Sequence, residues 1–327
     1  MAHLNYVNNL LDLDAGEDSS HLGGRKPKLT KRFWQYIKAK RRDHSGIPVL
    51  KSNGRETTNP QKKANILSDQ YESVFTTENT ALPILGDSHI PDLPNITIET
   101  EGVAKLLQNV NPSKAIGPDS ILTRVLKEAA PAIAPFLSFI FQQSVDSGKV
   151  PNDWKSANIT SIYKKGSRLE AANYRPISLT SVPCKLLEHI IFHNIMSHLD
   201  EHGVLVDCQH GFRKHRSCET QLINTIEDLS RSLNNRNQTD LLILDFVKAF
   251  DTVLHNRLLL KLDYYGIRGT NLTWMWSWVT HGTQQVLLEG VHRRRCVVRS
   301  GVPQGTVLKY QAITLNTYRH LYLRVGL

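Results

Sequence analysis

From Ile96 onward the apolar residues recur at the spacing of amphipathic helices, and this periodicity limits the fold more than any other feature. Val103, Leu106, Leu107 and Val110 stand at i, i+3, i+4 and i+7, one face of a helix. The same stripe returns at Leu122, Val125, Leu126 and Ala129, and at Ile133, Phe136, Leu137, Ile140 and Phe141. It appears again at Leu186, Leu187, Ile190, Ile191 and Ile195, and at Leu272, Met275, Trp276 and Val279. Four strand-like segments lie among these helices: Asn158–Tyr163, Leu241–Leu244, Gln285–Leu288 and Cys296–Arg299. The last two flank Gly290 and read as a hairpin. Many helices around a few short, unevenly spaced strands predict an α+β fold rather than a doubly wound sheet.

Residues 1–95 carry weaker patterning and are expected to be a basic, partly disordered helical linker. Gly46–Pro60 is polar, Leu82–Pro94 holds three prolines, and Gln61–Phe75 between them has weak helical character. Arg25–Arg42 contains nine Lys or Arg and no acid, interleaved with Phe33, Trp34 and Tyr36. Its Lys38–Arg42 run, KAKRR, resembles a short nuclear-import cluster. The whole chain of 327 residues has a formal net charge of +10, which favours polyanionic partners because each neutralised phosphate releases counterions. The four cysteines have neither zinc-ligand nor redox spacing, so reduced thiols and an intracellular setting are expected. No apolar run reaches the roughly 20 residues of a membrane span, so a soluble chain with no membrane partner is expected.

The most informative stretch is Leu241–Val253, LLILDFVKAFDTV. Four apolar residues predict a buried strand, and Asp245 falls where it ends. A carboxylate there suits Mg²⁺ in a cleft, although capping of the next helix is the competing reading. The stretch resembles the first catalytic motif of reverse transcriptases. That resemblance implies Asp245 as catalytic metal ligand, helped by the Phe246 carbonyl, in a two-metal centre using Mg²⁺, with Mn²⁺ as a substitute. It implies Phe250 as a gate against the ribose 2′-hydroxyl; the competing reading is core packing.

Four more segments keep the family's order. Asn111–Ile121, NPSKAIGPDSI, resembles the lead-in to the fingers in non-long-terminal-repeat elements, with Lys114 toward a phosphate. Ser161–Ser181 resembles the fingers hairpin, implying that Arg175 meets the incoming triphosphate; Lys164, Lys165 and Arg168 are weaker choices, since a basic hairpin tip is usually just solvated. Gln209–Leu222 resembles the segment before the palm strand, implying Arg213 and Arg216 against template phosphates. Ser300–Leu308, SGVPQGTVL, resembles the family's Pro-Gln-Gly motif, with Gln304 and Gly305 against the template or nascent pair and Gly301 allowing close approach. A tight turn around Pro303 is the competing reading there.

The resemblance implies an RNA-directed DNA polymerase domain, residues 96–308, of a jockey-like non-long-terminal-repeat retrotransposon. Its partners would be an RNA template, a DNA primer and deoxynucleoside triphosphates. The chain departs from the pattern at Lys309. The family continues with a Phe/Tyr-Ala-Asp-Asp hairpin, whereas this sequence has no Asp or Glu after Glu289. Residues 309–327 are read as a non-homologous tail. The expected fold is therefore fingers and partial palm of a right-hand polymerase, lacking the second catalytic hairpin and the thumb. Asp240, five residues before Asp245, falls on the opposite strand face, and Asp251 is expected to enter the next helix, so neither replaces the missing pair. The expectation is no polymerase activity alone; the alternatives are a nucleic-acid-binding remnant or a non-functional fragment. Hydrolase motifs are absent, and His189 and His193, four apart on an apolar helix, read as packed or solvated.

Overall fold

The computed structural model describes residues 47–78, 81–243, 245 and 247–309. From Val49 the described chain forms one compact unit. It starts with a hairpin of β1 (Leu50–Ser52) and β2 (Arg55–Thr57), closed by Asn53 and Gly54, both at positive φ. Asn-Gly in a two-residue turn matches the right-handed twist of the flanking strands. Helix α1 (Pro60–Glu72) follows, with the Asn59 side chain accepting from the Lys62 amide at 3.0 Å and Pro60 opening the first turn.

Helices α2 (Thr100–Gln108), α3 (Thr123–Glu128) and α4 (Ala130–Ser147) come next. A short 3₁₀ turn then leads into β3 (Ser156–Tyr163), β4 (Tyr174–Leu179) and the long helix α5 (Val182–Glu201). After α6 (Cys218–Asn234) come α7 (His255–Tyr264), α8 (Gly269–Val279), β5 (Thr283–Leu288), β6 (Val291–His292) and β7 (Cys296–Val297). Four helices bury much of the apolar stripes read from sequence: Val103 and Leu107, Leu137 and Phe141, Leu187, Ile191 and Ile195, and Met275 and Val279 join one core, whereas Phe136, Ile140 and Trp276 of the same stripes are exposed. Ser144 on α4 accepts from the Trp274 indole of α8 at 2.9 Å, so even the polar group in this core is satisfied.

The sheet has the order β4-β3-β5, with β6 and β7 both pairing the far edge of β5. β3 runs antiparallel to β4 and parallel to β5. The fold is thus α+β with a mixed sheet. The expected hairpin around Gly290 is present, and Glu289 and Gly290 close it with φ of 51° and 79°. Helix α1 is fastened to this hairpin by charge. The buried Lys63 ammonium donates to Glu289 at 2.7 Å, and Arg293 pairs with Asp69 and Glu72, both at 2.9 Å. Tyr71 donates to Ser161 of β3 at 2.7 Å, and burial pushes its phenol up, so it stays a neutral donor.

One strand expectation fails. Leu241, Leu242 and Ile243 form no strand and are 63%, 81% and 80% exposed; Leu244 lies outside the described residues. Among the described residues no strand lies beside this segment, and an isolated extended segment has no ladder bonds and no covered face. No helix among the described residues is long and apolar enough to cross a membrane.

Candidate functional site

The Pro-Gln-Gly loop is pinned from three sides. First, it lies against the turn that carries the AFDTV residues. The Gly301 amide donates to the Val253 carbonyl and the Val302 amide to the Phe250 carbonyl, both at 2.8 Å. The Ser300 hydroxyl donates to the Asp251 carbonyl at 2.8 Å, and the Gln304 amide nitrogen donates to the Asp251 carboxylate at the same distance. Gly301 is required here on two counts. Its φ is 81°, and a Cβ would stand 2.7 Å from the carbonyl oxygens of Phe250 and Asp251.

Second, the loop meets the sheet. The Ser178 amide of β4 donates to the Gln304 carbonyl at 2.6 Å, and Gly305, at φ 133°, would bring a Cβ within 2.5 Å of the Ser178 carbonyl. Third, the end of the loop is caught by Glu188, a fully buried acid of α5. Its carboxylate accepts from the Val307 amide at 2.7 Å, the Leu308 amide at 3.4 Å and the Trp278 indole at 3.3 Å. Burial pushes the Glu188 carboxyl up, and these donors pull it back. His255 closes the arrangement: its Nε2 donates to the Gly301 carbonyl at 2.8 Å, and burial holds its pKa below the ordinary imidazole value.

Asp251 does not enter α7 as expected. It is half-buried under the loop, accepts from Gln304, and burial raises its pKa. A cavity beside it is lined by Lys155, Ala157, Ser178, Asp251, Gln304 and Thr306. The sequence reading missed Glu188 and His255. The available signal for Glu188 was an acid set inside the apolar stripe LLEHII, a position that burial makes costly unless donors converge on it.

The remaining site residues are dispersed. Arg175 is exposed on β4, opposite Ile162 of β3, and Lys164 is exposed where the β3–β4 connection begins. Phe250 is half-buried against the core, with the Lys309 ammonium 5.8 Å from its ring centroid. Arg213 donates to the Val206 carbonyl at 2.8 Å and pairs with Asp200, while Arg216 donates to the Asp207 carbonyl at 2.7 Å and pairs with its carboxylate. Both guanidiniums therefore brace the 200–216 connection. Lys114 is exposed and lines a cleft against α5. Asp245 is exposed, with no side-chain hydrogen bond among the described residues; Phe246 lies outside them.

This donor set does not fit a two-metal centre. Asp251 is turned under the loop and bonded to Gln304, and Asp245 is exposed with no carboxylate partner among the described residues. No group of three or more His, Cys, Asp or Glu among the described residues is arranged to hold a metal ion.

The model of the family described as reverse transcriptase (RNA-dependent DNA polymerase) matches residues 162–309. The chain is 26% identical over 292 residues to "Probable RNA-directed DNA polymerase from transposon BS" of Drosophila melanogaster, covering 84% of this chain and 32% of that protein. It is 27% identical over 310 residues to "Probable RNA-directed DNA polymerase from transposon X-element" of the same species, covering 87% and 32%. "RNA-directed DNA polymerase from mobile element jockey", also from Drosophila melanogaster, is 27% identical over 290 residues, covering 86% and 31%. The chain spans about a third of the length of these curated relatives.

Proposed function

We propose that this chain, which matches the reverse-transcriptase (RNA-dependent DNA polymerase) family over residues 162–309 and is similar to the polymerases of jockey-like non-long-terminal-repeat retrotransposons, forms the fingers and part of the palm of such a polymerase. In this reading it holds template and primer without completing the chemistry. The observation that carries it is the Gln304 loop, fixed to the Phe250–Val253 turn, to Ser178 and to Glu188. That loop presents a rigid backbone shelf beside Phe250, with Gly305 leaving no side chain in the way. Arg175 on β4 and Lys164 at the start of the β3–β4 connection stand as donors for a triphosphate. Residues 96–308 are the polymerase segment, with 1–95 leading into it.

Polymerases of this family use divalent ions such as Mg²⁺, which stabilise the transferring phosphate. On the family resemblance Asp245, helped by the Phe246 carbonyl, would hold such an ion, and the carboxylates among the described residues do not complete the site. The exposed residues Leu241–Ile243 and the apolar side of α6 are where further palm strands of a longer chain would pack. An RNA–DNA hybrid, a fluorescent oligo(dT) primer on poly(rA), tests the reading by anisotropy. The expected result is binding that weakens steeply with added salt and is unchanged by Asp245→Ala. Absence of hybrid binding at low salt would overturn the proposal.

A further inference from the structure

The Gln304 loop has a fourth attachment, and it comes from 224 residues earlier in the chain. Past the end of α1 the Thr76 amide donates to the Ser300 hydroxyl oxygen at 2.8 Å, and the Thr76 hydroxyl donates to the Thr252 carbonyl at 3.3 Å. Ser300 is 1% exposed, and its hydroxyl passes the bond on to the Asp251 carbonyl at 2.8 Å. One hydroxyl thus accepts from the arm and donates to the turn, using both of its capacities. Two residues further on, Glu78 pairs with Arg257 of α7 at 3.5 Å. Phe75, just before Thr76, lines the cavity beside Asp251 and Gln304.

The arm that delivers Thr76 is fixed to the sheet before it reaches the loop. Lys63, Asp69 and Glu72 of α1 are paired with Glu289 and Arg293 of the β5–β6 hairpin, and Tyr71 is bonded to Ser161 of β3. The Gln304 loop is therefore tied to the sheet twice, directly through Ser178 and indirectly through α1. None of residues 73–78 is buried, so this segment adds little to the apolar core. Its polar contacts beyond α1 go to Ser300, to Thr252 within the Phe250–Val253 turn, and to Arg257. A segment placed in this way can change where the loop sits without deciding whether the chain folds.

We infer that Thr76 is a positioning residue for the Gln304 loop: through Ser300 and Thr252 it sets the place of the turn whose Asp251 carboxylate holds the Gln304 side chain. The segment ahead of residue 96 then takes part in hybrid binding without touching the hybrid. The inference rests on the polymerase reading above. Support behind a binding surface matters because a displacement on the order of 1 Å loosens the contacts that surface makes.

The test is anisotropy of the fluorescent oligo(dT)–poly(rA) hybrid with the full chain across a salt series. Thr76→Val keeps the shape and the amide but loses the hydroxyl, and should weaken hybrid binding about threefold, the lower end of one hydrogen bond's contribution. The loss should be the same at every salt concentration, since no phosphate contact is removed. Thr76→Ser, which keeps the hydroxyl, should bind like the parent. Ser300→Ala breaks the bond from the Thr76 amide and its continuation to Asp251. It should lose about tenfold, and it decides the matter if Thr76→Val does not fold. Thr100→Val, at the start of α2, removes a hydroxyl that bonds Ser138 at 2.8 Å and should leave hybrid affinity unchanged. Parent-like affinity in Thr76→Val or Ser300→Ala, a loss that Thr76→Ser shares, an equal loss in Thr100→Val, or a lowered salt slope in Thr76→Val would overturn the positioning role. Failure of the parent chain to bind the hybrid at low salt would instead sink the polymerase reading.

Discussion

The Gln304 loop and the stretch from α6 to Val247 contain similar shares of apolar residues, yet they reach opposite states. In the loop, Val302 and Leu308 are buried and its polar atoms find partners on Phe250, Asp251, Ser178 and Glu188. In α6 not one residue is buried, although Leu222, Ile226, Leu229 and Leu233 form a regular stripe. The helix is secured at its start, by the Ser217 and Thr220 capping box and by His210, which bonds Thr220 at 2.7 Å and Asn224 at 3.2 Å. Beyond that the stripe faces solvent, and so do Leu241–Ile243 and Val247, the last 82% exposed. Local signals thus suffice to make a helix, but an apolar face becomes structure only when another surface covers it.

The contrast can be broken by paired substitutions. Glu188→Ala leaves three N–H donors buried without an acceptor and should cost about 3 kcal/mol, read from denaturant melts. Ile226→Ala, on the bare stripe, should stay within about 0.5 kcal/mol. Equal losses at the two positions would mean that α6 is packed after all. Gly301→Ala places a methyl group against two carbonyls at a left-handed backbone position and should cost about 2 kcal/mol. It should also weaken hybrid binding, because the shelf itself moves; a variant as stable as the parent would show that the loop is not held as described.

Hydrogen exchange sharpens the same comparison without mutation. Amides of α5 and β5 should exchange only through global unfolding, whereas the C-terminal half of α6 should exchange through local opening. Similar protection in both would contradict the picture. The smallest expected effect concerns pH. The folded-state pKa of Asp251 is raised above its ordinary 3.8, so its contribution to stability is complete below that value and is lost as pH rises through the folded pKa. Asp251→Asn should remove this component, so the parent's stability relative to the variant should fall as pH climbs out of the acid range. His255 has the opposite sense: its pKa lies below 6.5, so its contribution is present above 6.5 and is lost as pH falls beneath it.

Much of this molecule was legible in its residues, and the misreadings share a cause. The stripes of α2, α4, α5 and α8 could be read because a helix makes its own hydrogen bonds and shows its buried face at a fixed period. The hairpin at Gly290 was legible because a glycine between two apolar runs marks a turn. Leu241–Leu244 misled because a strand belongs to a pair, and four apolar residues cannot report whether a neighbour exists. Asp251 was set aside as entering a helix, but its position depends on Gln304, 53 residues away. Arg213 and Arg216 looked free for phosphate; Asp200 and Asp207, which engage them, lie 13 and 9 residues earlier in the chain, too far for a local pattern to show. The motif segments could be recognised in the sequence; the bonds that join them could not.

The central claim is a formed substrate shelf without a complete set of catalytic carboxylates. Primer extension of oligo(dT) on poly(rA) by the purified chain, with Mg²⁺ or Mn²⁺, tests it most directly. The account predicts no product above that of Asp245→Ala, while both proteins still bind the hybrid. Extension by the parent that disappears in Asp245→Ala would contradict it.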